Sequence, residues 1–130
     1  MKRKIIYIED NDQNFYLVNF ILNAQGYDIL RARDGREGIE LASKIRSDLI
    51  LLDIQLPEMD GYTVARELRS NPDLSAVPIV AVTSYAMSGD REKAFKAGCT
   101  GYIEKPINPL SFVTQIEDYL LKGNTGREDV

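Results

Sequence analysis

Four apolar runs in this 130-residue chain end on side chains that can do chemistry. Ile5–Ile8 leads into Glu9, Asp10 and Asp12, and Leu49–Leu52 into Asp53 and Gln55. Ile79–Val82 leads into Thr83 and Ser84, and Tyr102–Ile103 into Glu104, Lys105 and Pro106. Glu9, Asp10 and Asp53, brought together, form a set of hard oxygen donors without nitrogen or sulfur, which selects Mg²⁺, or Mn²⁺ in its place. Two carboxylates about 4 Å apart repel by roughly 4 kcal/mol at an effective dielectric near 20, against a total stability of about 5–15 kcal/mol. Such a cluster demands a cation or raised pKa values. Any one of these acids alone has an ordinary use as the cap of a turn or a helix. Three of them converging with Thr83 and Lys105 do not. A divalent cation, an ammonium and a hydroxyl around a carboxylate suit a phosphoryl group, and the carboxylate can itself be the acceptor, giving an acyl phosphate.

Two absences narrow the chemistry. The chain has no His, which excludes a Ser-His-Asp triad, a Cys-His pair and any imidazole metal site. Its single Cys excludes an internal disulfide and a Cys-x-x-Cys site, in keeping with a reducing compartment. Sixteen Lys and Arg against twenty Asp and Glu give a net charge of −4. A surface of that sign is repelled by phosphate backbones and anionic lipids, so neither nucleic acid nor membrane is an expected partner. No apolar run approaches the roughly 20 residues of a membrane span. Nor does Met1-Lys2-Arg3-Lys4 precede the uninterrupted apolar core of a signal peptide, so a cytoplasmic location is expected.

The elements that must position these residues follow from periodicity. Strands are expected at Ile5–Ile8, Ile29–Ala32, Leu49–Leu52, Ile79–Val82 and Tyr102–Ile103. The first, third and fourth are apolar at nearly every position and read as strands buried on both faces. The second interleaves Arg31 and is followed by Arg33, which suits a sheet edge. Helical patterns lie at Asn14–Gln25, Arg36–Lys44, Tyr62–Ser70, Asp90–Ala97 and Pro109–Leu121. Gly26 and Gly98 stand where C-cap glycines stand, and Asn108-Pro109 reads as an N-cap with Pro at the first helical position. Strand and helix alternate five times, which implies an α/β fold with a parallel sheet covered on both faces through right-handed crossovers. One domain over residues 1–121 accounts for the pattern, and the polar tail 122–130 is expected to be disordered. Ligands of such sheets bind outside the carboxyl ends of the strands, where the chemistry-bearing residues cluster.

Two helices carry more apolar surface than a core-facing stripe needs. The first presents Phe15, Tyr16, Leu17, Val18, Phe20, Ile21 and Leu22; the last presents Leu110, Phe112, Val113, Ile116, Tyr119, Leu120 and Leu121. Deep core helices with scattered exposed side chains and partner-binding faces both fit, with Phe20 and Tyr119, both expected to be exposed, as the test positions. The fourth helix has little to bury beyond Met87, Ala94 and Phe95, so it is expected to be the most mobile element.

The segments Tyr7-Ile8-Glu9-Asp10-Asn11, Leu52-Asp53-Ile54-Gln55-Leu56-Pro57-Glu58-Met59-Asp60-Gly61, Val80-Ala81-Val82-Thr83-Ser84 and Tyr102-Ile103-Glu104-Lys105-Pro106-Ile107 resemble, in order, the receiver domain of two-component response regulators. The resemblance to this CheY-like family covers about residues 4–121. It is strongest to stand-alone, DivK-like single-domain regulators along Ala86-Met87-Ser88-Gly89-Asp90 and Gly98-Cys99. It implies a doubly wound, flavodoxin-like sheet of five parallel strands in the order 2-1-3-4-5 with five helices.

The resemblance also assigns roles. Asp53 is the implied phosphoacceptor, taking the phosphoryl group of a kinase phosphohistidine. Asp10, Asp53 and the backbone carbonyl of Gln55 are the implied Mg²⁺ ligands, with Glu9 helping directly or through water. Lys105 pairs with a phosphoryl oxygen, and its bond to Pro106 is cis. Thr83 donates its hydroxyl to another phosphoryl oxygen, and Tyr102 turns inward as the loop moves, which alters the surface of the fourth helix, fifth strand and fifth helix. A plain packing role for Tyr102 is an almost equal alternative. Gln55 and Tyr85 occupy positions that tune phosphate lifetime in this family, and Cys99 reads as a small buried residue. The implied partners are a histidine kinase or histidine phosphotransfer protein and a downstream protein target, with the chain a monomer or weak homodimer.

Two rival readings remain. A phosphatase of the haloacid-dehalogenase kind uses an Asp nucleophile and Mg²⁺, but wants a second acid where this chain has Gln55. A scaffold that never takes phosphate has no need of Asp10, Asp53, Thr83 and Lys105 together. The same receiver could also be a module of a hybrid histidine kinase.

Overall fold

The computed structural model describes residues 2–84 and 89–123. Strands β1 (Lys4–Ile8), β2 (Asp28–Ala32), β3 (Leu49–Asp53), β4 (Ile79–Thr83) and β5 (Gly101–Glu104) pair in parallel in the order β2-β1-β3-β4-β5. Between and after them run α1 (Asp12–Asn23), α2 (Gly35–Lys44), α3 (Gly61–Arg69), α4 (Asp90–Lys96) and α5 (Pro109–Lys122), with a 3-10 turn at Pro72–Leu74. The expected order and number of elements hold, with β2 at one edge.

Strand side chains alternate between two faces, and each face has its own core. Ile5, Tyr7, Leu49, Leu51, Val80 and Val82 pack with α1 and α5. Ile6, Ile8, Ile50, Leu52, Ile79 and Ala81 pack beneath α2, α3 and α4. Every residue of β3 and β4 is buried, as expected for strands covered on both sides.

Four helices start from a side chain that accepts a backbone N–H of the first turn: Asn11, Asp34, Asp60 and Asn108. These caps set the starts one or two residues ahead of the apolar periodicity for α1, α2 and α3. Gly26 and Gly98 have positive φ. Gly98 closes α4 with a paired bond set, its N–H to the Phe95 carbonyl and that of Cys99 to the Ala94 carbonyl. The end of α3 is tied down by Arg69, whose guanidinium donates to the carbonyls of Leu74, Val77 and Gly98. Gly61 is required at the start of α3, because a Cβ there would collide with the Ile54 backbone. That approach fixes the loop after Asp53.

The wide apolar arc of α5 is mainly core. Phe112 and Ile116 are buried, and so is Tyr119, contrary to the expectation that it is exposed. Its ring fills the space that a side chain at position 101 would take, and Gly101 leaves that space open. On α5 the exposed apolar residues are Leu110 and Leu121 instead. On α1 the wide arc does leave an outward face of Tyr16, Leu17 and Phe20, the last 76% exposed. Lys122 extends α5 where the tail was expected to begin, and residues 124–130, Met87 and Tyr85 lie outside the described residues.

Candidate functional site

Asp53 ends β3 and is only 3% exposed, at the carboxyl edge of the sheet between β1 and β4. Its Oδ1 accepts the Gln55 N–H at 2.9 Å, and its Oδ2 lies 3.5 Å from Lys105 Nζ. Glu9, one residue past β1, is fully buried. Its Oε1 accepts the Tyr7 hydroxyl at 2.9 Å and Lys105 Nζ at 3.3 Å, while its Oε2 accepts the Asn11 N–H at 3.2 Å. Asp10 is exposed at the mouth, yet carboxylate oxygens of Glu9, Asp10 and Asp53 all lie within 4.8 Å of one another.

One ammonium between Glu9 and Asp53 does not neutralise three acids, and the imbalance shows in Asp53. Burial, then the adjacent Glu9, pushes its carboxyl up to about 6, while the Gln55 N–H and the Lys105 charge pull it back. Burial and the same Glu9 raise the Tyr7 hydroxyl. The site is thus a set of hard oxygens, charge-poor in cations and closely grouped, which fits a divalent cation of the Mg²⁺ type.

Lys105 enters from the end of β5. Its N–H donates to the Thr83 carbonyl at 2.8 Å, and the Lys105–Pro106 peptide bond is cis. Thr83 ends β4, 1% exposed, one position beyond Val82, the register partner of Asp53. Gln55 reaches across to the same strand end: its side-chain Oε1 accepts both the Ser84 N–H at 3.1 Å and the Ser84 hydroxyl at 2.6 Å. A cleft of about 370 Å³ opens beside Lys105, lined by Asn14, Leu17, Ser84, Pro106 and Ile107.

Several acids near the strand ends stay out of the cluster. Asp12 turns to Arg31 at 2.8 Å and Arg33 at 3.2 Å. Asp60 caps α3, and Glu58 and Glu104 are exposed. Tyr102 is already inward, 8% exposed, in the core beneath α3 and α4 with Cys99 as a neighbour in the same cluster. Burial therefore needs no inward turn of this ring. Two contributors were not singled out from the sequence. Tyr7 reads as one more apolar strand position, although its spacing of two from Glu9 places both on one side of the chain. Arg31 reads only as an edge residue, yet its Nε donates to the Glu9 carbonyl at 3.1 Å.

The site can be set beside known proteins. Residues 5–117 match the family described as the response regulator receiver domain. The chain is 42% identical to the polar-differentiation response regulator DivK of Brucella anthropi over 120 residues, covering 92% of this chain and 98% of that one. It is 41% identical to the DivK of Brucella ovis over the same shares. Among solved structures, the receiver domain of a sensor histidine kinase from Pseudomonas aeruginosa PAO1 aligns with a TM-score of 0.85 at 32% identity, covering 92% of this chain and 98% of that chain. That domain was solved with a magnesium ion coordinated in its active site cleft. The chemotaxis response regulator CheY4 of Vibrio cholerae aligns with a TM-score of 0.86 at 26% identity, covering 91% and 98%. Among the described residues no helix is long and apolar enough to cross a membrane. With the sheet order, the acid cluster and the family match in agreement, this chain belongs to the response regulator receiver domains of two-component signalling.

Proposed function

We propose that the chain is a phosphorylation-controlled switch of the DivK-like, single-domain kind, accepting a phosphoryl group on Asp53 from a histidine kinase or a histidine phosphotransfer protein. The observation that carries this reading is the buried Asp53 carboxylate sharing one ammonium, Lys105, with Glu9 inside a cluster of three acids. An Asp53 oxygen attacks the phosphorus of the phosphohistidine, the P–N bond breaks, and the imidazole keeps its electron pair and takes a proton from water. Lys105 holds one phosphoryl oxygen, and the Thr83 hydroxyl donates to another. Asp10, Asp53 and the Gln55 backbone carbonyl hold Mg²⁺, for which Mn²⁺ can substitute. Bound there, the cation supplies charge neutralisation to the phosphoryl oxygens. Both Glu9 oxygens already accept hydrogen bonds, which favours help through water over direct ligation.

Tyr16, Leu17 and Phe20 form an exposed apolar face on α1, of which Leu17 lines the cleft at Lys105, and this face suits the helices of a phosphodonor. Phe20→Ala should slow transfer from a kinase while labelling by acetyl phosphate continues. The response travels through Thr83 and Tyr102 to the surface of α4, β5 and α5, which meets a protein target in the cytoplasm, with the chain acting as a monomer or weak homodimer. Intact mass after incubation with acetyl phosphate and Mg²⁺ tests the acceptor. A labile gain of one phosphoryl group, absent in Asp53→Asn and in EDTA, supports it. No gain, also with phosphoramidate and purified kinases, overturns it in favour of a scaffold. A second reading, a receiver module of a hybrid kinase, draws support from the similar kinase receiver of P. aeruginosa. The same acceptor chemistry serves both.

A further inference from the structure

The structure assigns Gln55 a role through its side chain that the metal-binding role of its backbone does not contain: we propose that it is a latch holding the strand end at Ser84 in the place a phosphoryl group must take over. This rests on the reading of Asp53 as the acceptor. Gln55 grips both sides of the site at once. Its N–H donates to Asp53 Oδ1 at 2.9 Å, and its side-chain carbonyl takes the Ser84 N–H at 3.1 Å and the Ser84 hydroxyl at 2.6 Å. Ser84 follows Thr83 directly, and Asp53 pairs in register with Val82, so these donors stand two residues past the register partner of the acceptor on the next strand. An amide oxygen satisfying two donors here is a neutral substitute for the anionic oxygen that a phosphorylated Asp53 would bring. A phosphoryl group has three such oxygens and a greater claim on the Ser84 N–H, since hydrogen bonds to ions are stronger than those between neutral groups, while the Ser84 hydroxyl serves the latch alone.

The latch therefore opposes the switched form. Each time Thr83 and Ser84 move toward a phosphoryl group, the Gln55 bonds have to open, and their strength sets the threshold of the response. Among the described residues, nothing else in the loop after β3 is seen to do this. Pro57 lacks an N–H, Glu58 is exposed, and Asp60 is committed to the α3 cap.

Affinity for beryllofluoride, an acyl-phosphate mimic, at saturating Mg²⁺ tests the latch in wild type, Gln55→Ala, Ser84→Ala and the double variant. Gln55→Ala should bind about tenfold more tightly, which is the net worth of one to two ordinary hydrogen bonds. Ser84→Ala, which keeps the backbone bond and loses the hydroxyl one, should gain about threefold. The double variant should gain no more than Gln55→Ala alone, because both changes release the same latch. This non-additivity separates a latch from two unrelated structural effects. Unchanged or weaker binding in Gln55→Ala, with wild type binding normally, overturns the latch alone. Should Gln55→Ala fail to fold, exposed Ser84→Ala decides the matter, and unchanged or weaker binding there overturns the latch. No binding by wild type overturns the acceptor reading and the latch with it.

Discussion

α1 and α4 both start at the carboxyl edge of the sheet, on opposite faces, and they are built in opposite ways. α1 has 12 residues, starts from the Asn11 cap and buries Phe15, Val18, Ile21 and Leu22. α4 has 7 residues, starts from Gly89 at φ 93°, which has no side chain to cap it, and buries Ala94 and Phe95. Each large apolar side chain fully buried contributes about 1.5–3 kcal/mol, so α1 is anchored several kcal/mol more firmly. The acids of the site hang on the firm half: Glu9 stands just ahead of the Asn11 cap of α1, and Asp53 leads into the loop pinned by Gly61. Thr83 leads toward the loose half. A site divided this way keeps its charges fixed while its output surface moves at little cost in free energy.

Amide exchange offers the largest contrast. The α4 amides should exchange about a hundredfold faster than the central amides of α1, a difference in opening free energy of about 3 kcal/mol. Equal protection would remove the distinction between the halves. Next in size is the strain in the firm half. Asp53 titrates at about 6 in the fold against 3.8 when free, so between those values the folded chain keeps a proton the unfolded chain has lost. Its contribution is intact below pH 3.8 and is lost as the pH rises through about 6. In EDTA, Asp53→Asn should match wild type near pH 4 and exceed it by about 2 kcal/mol at pH 7.5 in urea melts. A constant offset at both pH values would refute the charge argument.

Tyr7→Phe removes one donor from the buried Glu9 and leaves Lys105 and the Asn11 N–H. A loss of about 1–2 kcal/mol is expected, together with weaker Mg²⁺ binding read by fluorescence or calorimetry. Asp60→Ala, which uncaps α3, should cost about 1 kcal/mol and leave Mg²⁺ affinity alone. The pair separates the support of the cluster from the support of the loop behind it.

How much could be read in advance follows the same division. The strand ends, the sheet order, the buried strands and the gathering of Glu9, Asp10, Asp53 and Lys105 were legible, because each depends on local pattern or on an ordered set of motifs. Helix starts were read one or two residues late in α1, α2 and α3. Asn11, Asp34 and Asp60 act as caps, and their first turns hold too few apolar residues to show a period. Tyr119 was misread because its burial depends on a missing side chain at Gly101, on another element. The Tyr7–Glu9 and Gln55–Ser84 contacts are tertiary or side-chain matters that hydrophobic periodicity does not record.

The three carbonyls held by Arg69 have a consequence for how such a chain can change length. They belong to the connection before β4 and to the one after α4, so a single guanidinium measures both. Surface connections ordinarily accept extra residues at a small entropic cost. Here an insertion in either would strand a buried donor or acceptor, and a shorter Lys at 69 could not span both. Growth of this domain is confined to other turns, and the connections before β4 and after α4 can change length only as a matched pair.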